Sequence, residues 1–434
     1  MVELDNDATA SAPNQRKCKL AYLISFLPRI RLSRKFHLSI LFIISMIPSE
    51  ASSKVDEITT ITVFEEEIDE GQPIVGENIE LGGAFNTSAN ISKGNNFPSN
   101  AARYATIELA LQWLAHHQEP DGSWDATKYG GKSKDMGSTT AVALLAFLGA
   151  GHNEYAGKYR KNIKAGIKYL NQCMEDPKML ERPSFLNNYG NALVLMALSE
   201  DTIFGASPTT KKNANRMAEL LIAQYINDPV KKGWGTEGAG DDVSVSGWVG
   251  LGLKSAKAAD LPAMQTPDAK IVFEKFKIWV DQVMTIPETD MGLYGVAGVE
   301  HAGIDSQHMT WVGMYTKQFL GFPLSDPFLK KASEVSITAV NSKIWIGGEK
   351  PGPVFGIYFG MLAAFHQQGV LWEAWWPAIK KTLIGSQKLG DPKELGGSWD
   401  PTLDSVGMNG GRVMTTALFA LCLEVYYHYD SYGD

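Results

Sequence analysis

The sequence predicts an all-α fold in which about six helical hairpins close into a ring, an (α/α)6 toroid. Three observations support this prediction: a turn sequence that recurs between helical segments, an alternation of amphipathic and apolar helices, and an apolar last helix. The chain has 434 residues, of which 44% are hydrophobic, so a large core is available. Length alone suggests two or three domains, but a closed repeat array of this length can be a single domain.

The recurring turn begins with a Gln at the end of an apolar helical run and ends in Gly-Trp or Gly-Ser-Trp. Two copies cover residues 118–124 and 387–399, and a looser copy covers residues 224–234. We expect the Gln to hydrogen-bond the end of one helix. The Trp ring should cover the next helix while its N–H donates to a carbonyl. The turns are therefore predicted to be structural staples rather than catalytic elements.

Apolar residues follow the helical period from Tyr104 onward. An amphipathic helix has one wet face and belongs outside, whereas a helix that is apolar all round must be covered on every side. After a first outer helix that contains Ile107 and Leu111, further outer helices are predicted at 159–173, 211–225, 269–284, 327–341 and 372–387. Inner helices are predicted at 138–148, 188–198, 243–257, 304–319, 354–368 and 411–428.

The last helical segment, residues 413–429, is apolar and aromatic. An open solenoid would carry a polar cap there, so closure of the last hairpin onto the first is favoured over an open solenoid or two bundles. The long linkers run from outer to inner helices and gather at the N-terminal end of the inner helices. Free N–H groups there favour carboxylates and anionic ligands, and a central cavity opening there is the default pocket.

The first hundred residues are predicted to lie outside this ring. Residues 29–35 are basic, residues 38–47 form a short apolar run, and small residues follow at Ser49 and Ala51. This pattern is typical of a secretory signal over residues 1–51, with an uncleaved membrane anchor as the alternative. Residues 52–100 are acidic and rich in Asn and Ser, which indicates an N-terminal arm. We expect an exported protein, periplasmic or secreted, with the toroid over residues 101–430.

Composition excludes several classes of protein. The net charge of -8 argues against nucleic-acid binding. Three cysteines are too few for a disulfide scaffold, and Cys173 and Cys422 are expected to be buried inert thiols because they lie in apolar helices. Phosphate-binding loops, a Gly-x-Ser-x-Gly elbow and a His-Glu-x-x-His motif are absent from the sequence. No cofactor and no metal site are predicted.

The Gln…Gly-Ser-Trp turns resemble the QW motifs of the terpenoid cyclase and protein prenyltransferase superfamily, which includes the squalene–hopene cyclase C-terminal domain. Residues 104–124, 241–257 and 396–427 are particularly similar to secreted cyclase-repeat proteins of planctomycete-type bacteria. The resemblance covers about residues 100–430. It implies an (α/α)6 toroid whose site lies where the N-termini of the inner helices open.

Asp241 and Asp242, at the start of an inner helix, are the first candidate site. Paired carboxylates raise one another's pKa and can make one of them a proton donor. The resemblance places them where squalene–hopene cyclases carry an Asp-x-Asp-Asp acid, but Ala239 replaces the first Asp. It also places Ser244 where prenyltransferases have a zinc-binding Cys. The alternative is that Asp242 or Ser244 caps the helix.

Further candidates lie near other inner-helix starts. His301, Asp305 and His308 are spaced to ligate a metal or move protons, or to form a satisfied polar lining. Arg412 is expected either to meet Asp242 or a ligand anion, or to form a structural ion pair. The remaining predicted lining residues are Asn188, Tyr189, Asn191, Trp248, Trp311, Phe355, Tyr358 and Thr415. For the aromatic residues Trp248, Trp311, Phe355 and Tyr358, packing alone is the alternative explanation.

Two functions are compatible with these features. The favoured one is a non-catalytic binding or scaffold protein whose cavity holds an apolar, isoprenoid-like or glycan ligand, or whose surface binds envelope proteins. The alternative is an enzyme, a terpenoid cyclase-like isomerase or a carbohydrate-active one, with Asp242 as acid and His301 or His308 assisting. The incomplete acid and zinc patterns favour the first. Residues 52–100 are also too few to supply the second α-domain that full triterpene cyclases use.

Overall fold

A computed structural model describes residues 101–176, 178, 188–235, 241–284, 304–342 and 352–425. Within these ranges the chain forms twelve α-helices and no β-strand, which confirms the predicted all-α class. The predicted signal over residues 1–51 and the predicted arm over residues 52–100 lie outside the described residues.

The twelve helices alternate between outer and inner positions, beginning with an outer one. In chain order they are α1 (Ala101–His116), α2 (Met136–Gly149), α3 (Arg160–Glu175), α4 (Asn188–Ile203), α5 (Pro208–Ile226), α6 (Val243–Ala258), α7 (Pro267–Val283), α8 (Ile304–Phe319), α9 (Pro327–Ser342), α10 (Val354–Gln367), α11 (Gly369–Ser386) and α12 (Ser405–Glu424). Short 3-10 helices cover Ala126–Tyr129 and Pro262–Gln265.

The six even-numbered helices form a closed inner ring. Each packs on the next along the chain, and α12 packs on α2. Burial follows the sequence pattern, because α2 is buried on all sides from Gly137 to Gly149, whereas α3 buries only one face. Helices that are apolar all round have no stable position other than the inside of such a ring.

The Trp turns join neighbouring hairpins through hydrogen bonds. The indole N–H of Trp124 donates to the carbonyl of Leu114 at 2.8 Å, so the turn is fixed to the helix that precedes it. The amide of Gln118 donates to the carbonyl of Asn162 on α3 at 2.9 Å. Gly122 has a positive φ of 96° and lies directly against Ala165 of α3, where a side chain has no room.

The turn over residues 387–399 makes the corresponding contacts across the closure of the ring. Trp399 donates its indole N–H to the carbonyl of Leu383 at 2.9 Å, and the Gln387 amide donates to the carbonyl of Thr106 on α1 at 2.8 Å. The hydrogen bond from Gln387 thereby fastens the last hairpin to the first. In the third turn, the indole N–H of Trp234 donates to the carbonyl of Leu221 at 3.0 Å.

Helix α12 is the one described helix that is long and apolar enough to cross a membrane by length and composition. In its most apolar window, 78% of the residues are buried inside the fold. That burial is what an inner helix of the ring requires.

Candidate functional site

The N-termini of the inner helices gather at one end of the ring, beside the longer linkers. Residues 117–135 precede α2 and residues 387–404 precede α12, whereas Gln368 alone separates α10 from α11. This end, the mouth of the ring, is therefore where the sequence places its candidate site.

Carboxylates of the chain itself occupy three inner-helix starts at the mouth. Asp135 accepts from the backbone N–H of Ser138 in α2 at 2.9 Å. Asp404 accepts from the N–H of Val354, the first residue of α10, at 3.2 Å. Asp242 does the same for α6. At these three helix starts, the carboxylates occupy backbone N–H groups that a bare helix N-terminus would offer to an anionic ligand.

Asp242 is the N-cap of α6. Its Oδ1 accepts from the backbone N–H of Ser244 at 2.6 Å and of Val245 at 3.2 Å, and the Ser244 hydroxyl also donates to it. The neighbouring Asp241 accepts from the backbone N–H of Lys232 at 2.8 Å. This geometry agrees with the capping alternative, and the role of either carboxyl as a proton donor stays a prediction.

Five aromatic side chains meet in the ring behind the mouth and form what we call the central aromatic layer. Its members are Tyr189 on α4, Trp248 on α6, and Phe355, Tyr358 and Phe359 on α10. Trp248 stacks on Tyr358 with ring centroids 5.3 Å apart, and Tyr189 meets Trp248 edge to face at the same centroid distance. Phe359 meets Trp248 edge to face at 5.1 Å.

The central aromatic layer crosses the middle of the ring. Helices α4 and α10 stand opposite each other in the ring of six, and the layer joins them through Trp248. Trp248 and Tyr358 are each only 1% exposed. Neither the Trp248 Nε1 nor the Tyr358 hydroxyl has a hydrogen-bond partner among the described residues. Burial raises the pKa of Tyr358, and nearby Cys422 and Glu200 raise it further, so the phenol is neutral.

Two residues that were predicted to line the cavity lie outside the central aromatic layer, and the first of them is Trp311. It donates its indole N–H to the hydroxyl of Ser336 on α9 at 2.9 Å and meets Trp375 of α11 edge to face at 4.7 Å, so it packs between α8 and the outer helices. A buried indole N–H requires a partner, and the outer layer supplies one.

Arg412 is the second predicted lining residue that lies outside this layer. Its ion-pair partner is Asp400 rather than Asp242. One guanidinium nitrogen lies 2.6 Å from Asp400 and another donates to Ser398 at 3.0 Å. The backbone turns at Gly411, with φ 60°, immediately before it. Arg412 therefore braces the 387–399 turn.

The other candidates divide between described and undescribed residues. Asn188 donates to the carbonyl of Gly235 at 2.9 Å and so ties α4 to the end of the third turn. Asp305 and His308 belong to the first turns of α8, but their side chains are outside the described part, and His301 lies outside it altogether.

The opposite end of the ring carries ionisable side chains that were not among the sequence-predicted candidates. Glu200 on α4, Lys254 on α6, His366 on α10 and Glu424 on α12 all lie in the last turns of their helices; we call them the C-terminal cluster. Burial raises the pKa of Glu424 well above its usual range, although Arg103 opposes this shift. The sequence did contain a feature that could have revealed this cluster, because each member is an ionisable residue near the end of a helix that is otherwise predicted to be fully buried.

Comparisons with known proteins support the fold. No protein-family model and no curated protein sequence matches the chain. The chain is similar in structure to the type II terpene cyclase MstE from Scytonema in its apo form, with 12% identity and a TM-score of 0.51, over 76% of this chain and 99% of that one. An apo variant of the same cyclase gives 12% identity and a TM-score of 0.50, over 75% and 97%. The chain therefore has a terpenoid cyclase-like fold.

Proposed function

We propose that this protein is an exported, non-catalytic binding or scaffold protein whose ligand is neutral and apolar. The observation that carries the proposal is the central aromatic layer, because its buried, packed rings cross from α4 to α10 through the region where a reaction chamber would have to lie. A chamber that encloses a drug-sized or larger ligand needs several hundred Å³, on the order of 300–1,000 Å³.

The engagement of Asp242 supports the same proposal. A cyclase-type acid must present a proton to the substrate, whereas Asp242 accepts hydrogen bonds from Ser244 and Val245 and thereby holds the start of α6. The alternative function, a terpenoid cyclase-like isomerase with Asp242 as acid, is favoured by the likeness of the fold to MstE.

The ligand class follows from the charges at the mouth. Three aspartates at helix starts repel a diphosphate or another anion, while the partly exposed Tyr189 offers an aromatic face. Aromatic and apolar surface of this kind binds isoprenoid chains without electrostatic help. We therefore propose a neutral isoprenoid-like molecule lying against the outer side of the central aromatic layer.

A pair of ligands that differ only in charge tests this proposal. Native mass spectrometry should show binding of geranylgeraniol to the full chain, and at least tenfold weaker binding of geranylgeranyl diphosphate. Tyr189→Ala should weaken binding of the alcohol about tenfold, because it removes one aromatic contact of roughly 1 kcal/mol together with its buried area. Tyr155→Ala, an exposed tyrosine in the α2–α3 loop, is the matched control. Tighter binding of the diphosphate would refute the proposed ligand class.

Export is the second part of the proposal, and it rests on the basic, apolar and small-residue pattern of residues 29–51. Fractionation of cells that produce the chain with a C-terminal tag should place it outside the cytoplasm, together with any envelope-protein partners. N-terminal sequencing of the exported chain should begin near Ser52. A full-length chain in the cytoplasmic fraction would contradict export.

A further inference from the structure

Lys254 stands out in the C-terminal cluster because its amine is poorly compensated. The side chain is only partly exposed, and the structure gives it no hydrogen bond and no ion pair with any described residue. Its Nζ lies over the ring of Tyr315 on α8, 5.8 Å from the ring centroid. A partly buried ammonium with so little compensation is destabilised relative to the neutral amine.

The groups that face Lys254 come from three neighbouring inner helices. Glu200 on α4 is buried and accepts a hydrogen bond from Ser255 at 2.7 Å. His366 on α10 packs edge to face on Tyr315 at 5.0 Å, and its Nδ1 is within 2.9 Å of the carbonyl oxygen of Leu362.

Burial decides the protonation of both nitrogen bases. It lowers the pKa of Lys254 to about 7, against the opposing charge of Glu200. Burial and the nearby Lys254 lower the pKa of His366 to about 3, so that the imidazole is neutral. Lys254 is therefore unprotonated more often than an ordinary lysine, and an unprotonated lysine is a nucleophile.

The surroundings decide which class of compound this amine can take. The nearby charge of Glu200 disfavours an anionic ligand. A metal ion is not favoured either, since the described residues hold no group of three or more metal-ligating side chains. A neutral electrophile fits both conditions.

We propose that the C-terminal end of the inner ring is a second site, in which Lys254 reacts reversibly with a small neutral aldehyde or ketone to form an imine. The nitrogen lone pair adds to the carbonyl carbon, and the carbonyl oxygen takes up a proton to give a carbinolamine. The hydroxyl group then leaves as water while the nitrogen gives up its protons, and a C=N bond remains. No oxidant or reductant takes part. Glu200 and His366 are positioning residues that face the amine, and the site is independent of the ligand proposed for the mouth.

Reductive trapping tests this proposal on the folded full chain. The protein is incubated at pH 7 with propionaldehyde and sodium cyanoborohydride, and alkylation of each lysine is followed by peptide mass spectrometry. Lys254 should be alkylated at least tenfold faster than exposed Lys211 and Lys270, because an ordinary lysine with a pKa of about 10.4 is almost entirely protonated at this pH. Alkylation of Lys254 no faster than that of Lys211 would overturn the proposal.

Three controls separate the site from general lysine chemistry. Lys254→Arg should remove only the fast component of alkylation. In denaturant the preference for residue 254 should vanish, and a preference that survives unfolding would contradict a site made by the fold. Glu200→Gln removes the charge that favours the ammonium, so the pH midpoint of Lys254 alkylation should fall; an unchanged midpoint would contradict the placement of Glu200.

Discussion

Gln387 provides the sharpest test of ring closure. Its side chain is 8% exposed, and its amide nitrogen donates to the carbonyls of Thr106 and Gly397, each at 2.8 Å. Thr106 belongs to α1 and Gly397 to the turn before α12, so one side chain joins the two ends of the ring. Gln224 begins the third turn but is exposed, which makes it a matched control within the same chain.

The size of the effect follows from the two hydrogen bonds. Gln387→Ala removes both and leaves two buried carbonyls without this donor, at a net cost of about 1 kcal/mol each, or about 2 kcal/mol in total. Gln224→Ala changes an exposed helical position and should alter the free energy of unfolding by less than about 0.5 kcal/mol. The corresponding fall in Tm for Gln387→Ala is about 3 °C in a domain of this size.

Urea unfolding followed by far-UV circular dichroism measures both variants. For Gln387→Ala the midpoint should fall while the dependence of the free energy on urea is unchanged, as expected for lost stability in an intact fold. Equal falls in the urea midpoint for Gln387→Ala and Gln224→Ala would refute the role of Gln387 in closing the ring.

Three further predictions concern the polar side chains of Tyr358, Asp201 and Asp242. Tyr358→Phe should leave the free energy of unfolding unchanged or raise it by about 1 kcal/mol in urea titrations, because the hydroxyl it removes is buried without a partner among the described residues; a loss of stability would contradict this. Burial raises the pKa of Asp201 to about 7, so the folded state binds a proton that the unfolded state has released above about pH 4. Stability should therefore fall as pH rises from 4 to 7, and Asp201→Asn should flatten that slope in unfolding experiments across this range. Asp242→Ala should cost about 1 kcal/mol in thermal unfolding whereas Asp242→Asn costs almost nothing, since Asn caps helices as well as Asp does; equal losses would contradict the capping role.

The helices could be predicted closely because their signals are local. The spacing of apolar residues marks each helix, and a helix that is apolar all round must lie inside the fold. The inner helix predicted at 243–257, for example, is observed as Val243–Ala258. Closure was also predictable, because residues 413–429 carry no polar cap.

The site was less predictable because its contacts join distant parts of the chain. Asp242 was recognised as either an acid or a cap, and only the geometry around Ser244 and Val245 shows the capping bonds. Arg412 pairs with Asp400 because the backbone leaves the helical conformation at Gly411. The residue types alone do not specify this change of backbone conformation. Lys254 acquires its surroundings from three other helices, so no spacing in the sequence predicts them.

We propose that a terpenoid cyclase-like fold is used here without cyclase chemistry. This proposal is tested most directly by incubating the wild-type protein and Asp242→Asn with squalene and with geranylgeraniol, followed by mass spectrometry for isomers of unchanged mass. Asn keeps the helix cap, so both proteins should be equally folded. We expect no isomer above a protein-free control from either protein. An isomer that the wild type forms and Asp242→Asn does not would contradict it.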